Sequence, residues 1–345
     1  MYNSIKSIHL ELTDRCNAAC PQCPRTNPKT GTAYDWIIKT ELTLSDIKTM
    51  LPVEVLRNLD KIVIGGNYGE PILATDFFKI VEYFLEHSDC LIFVQTNGSL
   101  RNIEWWKEYG KLVAGKQVRT IFGIDGANQE DHEMYRRNTS RNKILNNAQA
   151  YIDAGGFAIA QMLVYEHNEW STQEVSKIYE EMGFARTTHV ITERFYGNNN
   201  FKYNYKGQEY ELIRTTTEED YKKFYWLEGS RNDQKEIFCF AKLDQHIYID
   251  CLGYVTPCCF LGMYPYMIAA KSTETNLESY QDEIEEALHI FRQINLEEIR
   301  GKNILDIIKH PVYQQISDMH KSHLPKKCQR VCGGDKFRNI WFNTK

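Results

Sequence analysis

The sequence lacks the features that direct a chain to a membrane, to export or to nucleic acid. No apolar run approaches the roughly 20 residues needed to span a bilayer. The start, "MYNSIKSIHLEL", has no charged residues followed by an apolar stretch, so it does not resemble a signal peptide. The net charge of -5 gives no excess of basic side chains for binding phosphates. We therefore expect a cytoplasmic protein that binds neither membranes nor nucleic acid.

The sequence also lacks internal repeats and low-complexity tracts. Its 345 residues are 42% hydrophobic and 25% charged, which is ordinary for a globular protein that buries a sizeable core. A chain of this length predicts one large domain, or a large domain with a smaller one.

Strand-like and helix-like segments alternate along the first part of the chain. The strand candidates are "SIHLELT", "KIVIGG", "CLIFVQTN", "RTIFGIDG", "AIAQMLVYE" and "THVITERF", with helical patterns between them. This alternation predicts parallel strands joined by helices, as in a parallel barrel or a doubly wound sheet. Polar residues cluster just after the strands, at the edge where α/β barrels build their active sites.

The alternation stops near residue 195. Residues 196–235 are rich in Asn, Gly and mixed charge, which predicts a linker or a mobile segment. Residues 236–345 predict a second module, which begins with a hairpin at "QHIYIDCLGYVTPCCF" and ends in "CQRVCGG". The abundant tyrosines after residue 195 either provide a recognition surface or fill a second core.

Ten cysteines in a reducing compartment indicate metal binding or catalysis rather than disulfides. Cys16, Cys20 and Cys23 form a C-x3-C-x2-C loop after the first strand, with no fourth Cys or His nearby. Structural zinc takes four protein ligands. An iron–sulfur cluster held by three thiolates would leave one iron open to an outside group. Such an open position suits a reaction.

This loop resembles the signature of the radical S-adenosylmethionine (SAM) superfamily. The resemblance implies that Cys16, Cys20 and Cys23 hold a catalytic [4Fe-4S] cluster and that SAM occupies the fourth iron. In that family, reductive cleavage of SAM gives a 5′-deoxyadenosyl radical, which abstracts a substrate hydrogen. Gln22 departs from the family, where an aromatic residue often precedes the last cysteine.

Four later segments resemble further family motifs, one in each following βα unit. They are "GGNYGEP" (65–71), "VQTNGS" (94–99), "FGIDGANQEDHEMYRRN" (122–138) and "VYEHNE" (164–169). Each residue alone would also fit a turn, a cap or a surface position. The resemblance implies a partial (β/α)6 barrel over residues 1–195, in which SAM is positioned by Gly66, Gly69, Glu70, Thr96, Asn97, Asp125, Arg136 and Asn168.

A second set of cysteines lies in the C-terminal module. Four thiolates from two distant segments suit either structural zinc or a closed [4Fe-4S] cluster. The spacing C-x13-G-x4-C and the terminal pair resemble the SPASM/twitch extension of radical SAM enzymes. The shorter, small α+β twitch form implies one auxiliary [4Fe-4S] cluster held by Cys239, Cys258, Cys328 and Cys332. We interpret Cys90, Cys251 and Cys259 as structural, with Cys259 as the substitute ligand.

The resemblance implies an oxidoreductase or maturase that draws electrons from a donor such as flavodoxin or ferredoxin. Family members with this extension often modify ribosomally made peptides, by cross-links, thioethers or epimerisation, and a peptide is our first expectation. The alternative substrate is a small sugar-like molecule, acted on by a dehydrogenase or epimerase. Glu193 and Arg194 are candidates for substrate contacts, or form a surface salt bridge. A hypothesis of another class is a zinc-binding interaction protein without catalysis.

Overall fold

The core of the fold is an eight-stranded sheet in which all neighbouring strands but one pair are parallel. We analysed a computed structural model that describes residues 4–192, 194–195, 198–215, 239–272, 281–322, 328 and 332. The strands are β1 (Ser7–Leu10), β2 (Thr26–Asn27), β3 (Thr32–Ala33), β4 (Lys61–Ile64), β5 (Leu91–Thr96), β6 (Val118–Gly123), β7 (Ala158–Val164), β8 (Arg186–Ile191), β9 (Asn200–Tyr205), β10 (Gln208–Ile213), β11 (His246–Ile249) and β12 (Val255–Thr256).

The strand order decides between the two architectures that the sequence allowed. The strands of the six βα units are parallel and follow one another in chain order from β1 to β8. A doubly wound sheet would reverse its order at a switch point, whereas sequential addition is barrel topology. Within the described residues β8 and β12 do not pair, so the sheet stays open. The predicted partial barrel is confirmed.

The helices cover the sheet and mostly follow the sequence prediction. They are α1 (Leu44–Met50), α2 (Val53–Leu56), α3 (Phe77–His87), α4 (Ile103–Val113), α5 (Gln129–Tyr135), α6 (Arg141–Asp153), α7 (Thr172–Glu181), α8 (Phe240–Leu243), α9 (Cys259–Ala269), α10 (Gln281–Arg292), α11 (Ile304–Ile307) and α12 (Pro311–Ser322). None of the described helices is long and apolar enough to cross a membrane.

Local sequence explains where several helices begin and end. A capping box of Thr43 and Asp46 starts α1. The helical pattern over residues 44–59 forms two helices, α1 and α2, because Pro52 disfavours a helical conformation at Leu51. Helix α5 is a short polar helix whose first turn is capped by the side chain of Asn128.

A hairpin occupies part of the segment that was expected to be a linker. Strands β9 and β10 pair antiparallel over residues 200–213. The hairpin covers Arg137, whose guanidinium donates to the hydroxyl of Tyr203 at 2.6 Å and lies 4.0 Å from the ring centroid of Tyr210. The linker prediction is therefore wrong for this stretch, while residues 216–238 lie outside the described part. The tyrosines of the hairpin fill a small second core rather than an exposed surface.

The C-terminal segment shares the main sheet. The expected hairpin forms from β11 and β12, which pair antiparallel, and Gly253 turns at φ +84°. Strand β11 also lies parallel to β1 in the register Ser7↔His246 to Leu10↔Ile249. Strands β11 and β12 thus extend the barrel edge, and α9, which follows them, lies beside the loop after β4.

Candidate active site

The cysteine loop after β1 crosses the C-terminal edge of the sheet and contacts the end of each later barrel strand. Along the loop, Arg15 accepts from the amide of Glu70 (2.8 Å), Asn17 from Asn97 (2.9 Å), and the amide of Ala19 donates to Arg137 (3.0 Å). Further on, Gln22 accepts from Tyr165 (2.9 Å) and donates to the carbonyl of Arg194 (2.9 Å). The loop that carries the three cysteines therefore meets the ends of β4 to β8 in order.

Gln22, the departure from the family pattern, is the last anchor of this loop. Its side chain is fully buried, and both ends of its amide are hydrogen bonded, to Tyr165 and to Arg194. An aromatic side chain at this position would make neither bond. Gln22 therefore replaces the aromatic ring of the family pattern with hydrogen bonds that connect the loop to the ends of the last two strands.

Arg25 holds the cysteine loop from within. Its buried guanidinium donates to the carbonyls of Cys16 (3.2 Å), Ala18 (3.3 Å) and Asp14 (3.4 Å). These carbonyls then point toward one cation, which fixes the turn of the loop. The positive charge also favours the thiolate of Cys16.

Burial opposes ionisation of two of the three cysteines, Cys16 and Cys20. Burial raises the pKa of Cys16 to about 12, with the nearby Glu70 carboxylate adding to the shift. Burial likewise raises the pKa of Cys20 to about 11, opposed by the charge of Arg136. Metal ligands must be thiolates, so bound iron would add to the positive charges of Arg25 and Arg136 in favouring ionisation.

The cysteine loop supplies three thiols, one fewer than a structural zinc site requires. Among the described residues, no three Cys, His, Asp or Glu side chains are grouped closely enough to hold one metal ion. Structural zinc requires four ligands around one centre. The cysteines of a [4Fe-4S] cluster bind different irons, so their sulfurs need not converge.

Glu70, Thr96 and Asn97 form one buried group at the ends of β4 and β5. The Glu70 carboxylate accepts from the Thr96 hydroxyl at 2.6 Å and from the Asn97 amide at 2.7 Å. Burial raises the pKa of Glu70 to about 7, despite these two bonds. The side chain of Asn97 reaches the sulfur of Cys16 at 3.7 Å. The structure thus brings three predicted residues together beside a predicted cluster ligand.

Asp125 and Arg136 form a buried ion pair at the end of β6. The Arg136 Nε lies 2.8 Å from Asp125 Oδ2, and the Asp125 side chain is fully buried. The other carboxylate oxygen accepts from the amide of Leu163 at 2.8 Å. The pKa of Arg136 is raised: burial lowers it, but Asp125 and Cys20 outweigh that effect. A fixed positive charge therefore stands near the cysteine loop.

The remaining predicted residues, Asn168, Arg194 and Glu193, differ in how far they are buried and in whether the structure describes them. Asn168 is buried, and its amide is occupied by the backbone of its own loop, accepting from Tyr165 (2.8 Å) and donating to Leu163 (3.0 Å). This arrangement makes it a support for the loop after β7. Arg194 is exposed and donates to the carbonyl of Gln22 at 3.4 Å. Glu193 lies outside the described residues.

The glycines of 65–71 are required by close approach to β1 and its loop. A Cβ on Gly69 would lie 1.5 Å from the carbonyl oxygen of Thr13, and one on Gly66 would lie 2.3 Å from the carboxylate of Glu11. The first contact is with backbone and has no easy relief. The loop that presents Glu70 can take this path only with glycine at position 69.

We expect Gly69→Ala to move this loop. Relieving the contact with Thr13 requires a backbone shift, so we expect a loss of about 1–3 kcal/mol in the free energy of unfolding and weaker binding of SAM. Urea unfolding and equilibrium dialysis measure the two effects. Gly115→Asn is the control, because no atom lies within 4 Å of its Cβ position and Asn tolerates its φ of +70°. Wild-type stability and SAM affinity in Gly69→Ala would contradict this account.

Sequence reasoning missed a buried carboxylate beneath the same loop. Glu11 accepts from the amides of Tyr68 (2.6 Å) and Gly69 (2.9 Å), and the Tyr248 hydroxyl of β11 donates to it through a short hydrogen bond. Burial raises the pKa of Glu11 to about 7. The signal in the sequence was a lone acid in the apolar stretch "SIHLEL", at the end of the first strand.

Five cysteines gather at the start of α9 and the C-terminal end. Burial raises the pKa of Cys258 well above its usual value, and its neighbours Cys259, Cys328, Cys332 and Cys239 raise it further. The pKa of Cys332 is also raised, by burial and by the neighbouring Cys239, Cys328 and Cys259. Cys251 instead lies near Glu11, Asp250 and Asp14. The four predicted ligands of the auxiliary cluster therefore lie near one another, and Cys259 is a fifth thiol beside them. Cys251 lies apart from this group.

Comparison with known proteins agrees with both cysteine sets. The family model of the radical SAM superfamily matches residues 10–177, which contain the cysteine loop. The model of the SPASM iron–sulfur cluster-binding domain matches residues 239–333, which begin at Cys239 and include Cys258, Cys328 and Cys332. This chain belongs to the radical SAM superfamily.

Two curated relatives of this radical SAM protein match over part of their length. The AdoMet-dependent heme synthase of Methanosarcina barkeri is 29% identical over 136 residues, covering 39% of this chain and 36% of the synthase. The mycofactocin maturase MftC of Mycolicibacterium smegmatis is 30% identical over 126 residues, covering 36% of this chain and 29% of the maturase. The match thus spans about a third of each relative.

Solved structures resemble the radical SAM protein over most of its length. The structure of anSMEcpe with bound AdoMet has a TM-score of 0.53 and 15% identity, covering 95% of this chain and 85% of that chain. Streptococcus suis SuiB bound to the precursor peptide SuiA also has a TM-score of 0.53, at 12% identity, covering 95% of this chain and 77% of that chain. At these identities the likeness is one of fold.

Membership of the superfamily identifies the cofactors. Radical SAM proteins use SAM together with a [4Fe-4S] cluster, and the SPASM domain binds an auxiliary iron–sulfur cluster. The family match favours an iron–sulfur cluster over zinc at the cysteine loop. The hypothesis of a zinc-binding interaction protein is therefore not supported.

Proposed function

We propose that this radical SAM enzyme modifies a ribosomally synthesised peptide, and that residues at the C-terminal edge of the sheet bind the catalytic cluster and SAM. The observation that carries the proposal is the course of the cysteine loop, which contacts the ends of β4 to β8 in order. In this proposal Cys16, Cys20 and Cys23 hold the catalytic cluster. The auxiliary cluster is held by Cys239, Cys258, Cys328 and Cys332.

The polar residues of the edge would bind and orient SAM. The Glu70 carboxylate has a pKa of about 7, so a bound ammonium group would favour its ionised form and gain a charged hydrogen bond. The guanidinium of Arg136 provides a fixed positive charge for a carboxylate, because Asp125 holds it from the other side. Gly66 and Gly69 let the backbone approach, while Thr96, Asn97 and Asn168 hold the loops in place.

An apolar cluster beside the cysteine loop would keep water from the reaction. Its buried members are Tyr135, Tyr165, Phe195, Tyr203 and Leu212, and Cys20 packs against it. SAM and the reduced cluster together supply a 5′-deoxyadenosyl radical, which abstracts a hydrogen atom from an unactivated C–H bond. An electron donor such as flavodoxin or ferredoxin would supply the electron. Dry surroundings protect such a species from side reactions.

Two observations favour a peptide as the substrate. Trp170, beyond the end of β7, is 63% exposed, and exposed Arg194 lies beyond the end of β8. Aromatic and Arg side chains are typical of surfaces that bind proteins and peptides. Among the relatives, MftC is a maturase and SuiB binds a precursor peptide.

The experiment is to incubate the anaerobically reconstituted enzyme with SAM, a reductant and the peptides encoded by neighbouring genes. We expect a mass change in one peptide that accompanies formation of 5′-deoxyadenosine. The Cys16→Ala, Cys20→Ala, Cys23→Ala triple variant is the control and should leave the peptide unchanged. Turnover of a small polyol, with no peptide modified, would instead identify a dehydrogenase or epimerase of a small sugar-like molecule.

A further inference from the structure

The two residues between the glycines of "GGNYGEP" connect the edge of the barrel to the C-terminal segment. The side-chain amide of Asn67 donates to the carbonyl of Cys259 at 2.9 Å and to the hydroxyl of Tyr248 at 3.3 Å. The ring of Tyr68 stacks on that of Tyr266 at 4.5 Å. Both residues therefore contact β11 or α9, the elements that flank the second cysteine set.

The same residues also contact the first cysteine set. The carbonyl of Asn67 accepts from the Cys23 sulfur at 3.8 Å. Two positions later, Gly69 packs against Thr13, and Glu70 follows. A shift of Asn67 would therefore reach a ligand of one cluster and the loop that presents Glu70 to SAM.

The second cysteine set lies at the other end of this connection. Cys258 precedes the first residue of α9, and Cys259 is that first residue. Ring packing fixes the helix to the sheet, because a Cβ at Gly262 would lie 2.1 Å from the ring of Tyr248. Displacement of Cys258 would move the Cys259 carbonyl, and Asn67 with it.

We propose that Asn67 is a positioning residue that couples the auxiliary cysteine site to the binding of SAM. Assembly of the auxiliary cluster fixes the start of α9, α9 fixes Asn67, and Asn67 fixes the loop of residues 65–70. Coupling between two sites is reciprocal, so SAM would in turn order the auxiliary site. This inference rests on the proposed role of that loop in binding SAM.

The test measures SAM affinity by equilibrium dialysis on the reconstituted full chain. Asn67→Leu keeps the volume and removes the donor, so we expect the Kd for SAM to rise about fivefold or more, within the usual range of allosteric coupling, with the iron content unchanged. Asn146→Leu is the matched control, because Asn146 is exposed on α6, and its Kd should equal that of the wild type.

A double-variant cycle separates coupling from simple loss of structure. Replacing Cys328 and Cys332 by serine should weaken SAM binding in the wild-type background and have little effect in Asn67→Leu. If the serine replacements raised the Kd for SAM by the same factor in Asn67→Leu as in the wild type, the inference would be overturned. Wild-type affinity for SAM in Asn67→Leu would overturn it as well. Wild-type enzyme that binds no SAM would refute the proposed function itself, whereas tight binding that ignores Asn67 refutes only the coupling.

Discussion

Replacing Cys16, Cys20 and Cys23 together by alanine is expected to abolish cleavage of SAM while leaving the fold in place. The three thiols are the only ligands we assign to the catalytic cluster, and we propose that the other polar residues of the edge bind SAM rather than iron. Anaerobic reconstitution should give about eight irons per wild-type chain and about four per variant chain, the latter in the auxiliary cluster. Formation of 5′-deoxyadenosine should fall to background.

Cys90→Ala provides the matched control for this experiment. Cys90 is buried in the main core, far along the chain from either cysteine set. Its removal should leave both the iron content and the cleavage of SAM unchanged. Retained cleavage in the triple variant would refute the assignment of the cysteine loop, and loss of all iron would mean that the two sites do not load independently.

Arg136→Met is expected to cause a large loss of stability. The substitution leaves the Asp125 carboxylate fully buried without its cation. Breaking a buried ion pair in this way costs about 3–5 kcal/mol in the free energy of unfolding. Urea unfolding under anaerobic conditions measures this loss, and SAM binding should weaken as well. The positive charge that opposes the raised pKa of Cys20 is also lost.

Two further variants separate the buried pair from ion pairs in general. The double variant Asp125→Asn, Arg136→Met removes both charges and should recover much of the lost stability. In Lys107→Met, an exposed i,i+3 pair with Glu104 is broken, and the change should stay within about 1 kcal/mol. Equal losses in Arg136→Met and Lys107→Met would contradict a special role for the buried pair.

Much of the barrel could be predicted from the sequence because its strands are apolar runs separated by clear helical patterns. All six strand candidates correspond to strands. The polar residues after the strands met at one edge because parallel strands place their carboxyl ends together. Glu70, Thr96 and Asn97 could therefore be grouped without a structure.

The parts that escaped prediction depend on contacts between distant residues. The hairpin of β9 and β10 has an Asn- and Gly-rich start that predicts a loop, and its order comes from packing on Arg137. Gln22 looked unexplained until its partners, Tyr165 and Arg194, were in place. Likewise, nothing in "GGNYGEP" alone shows that Asn67 reaches a carbonyl 192 positions away.

The pairing of β11 with β1 sets the order in which the protein can mature. The side chains of Ser7 and His246 meet at 3.0 Å across 239 positions of sequence, so this edge of the sheet closes only after residue 249 has left the ribosome. Contacts of such long range form late and slowly. The β11 side of the first strand therefore stays unpaired until residues 246–249 have been synthesised, whereas its pairing with β4 needs only residues 61–64. We therefore expect the cysteine loop, whose contacts lie at the ends of β4 to β8, to form before the β11 edge of the sheet closes.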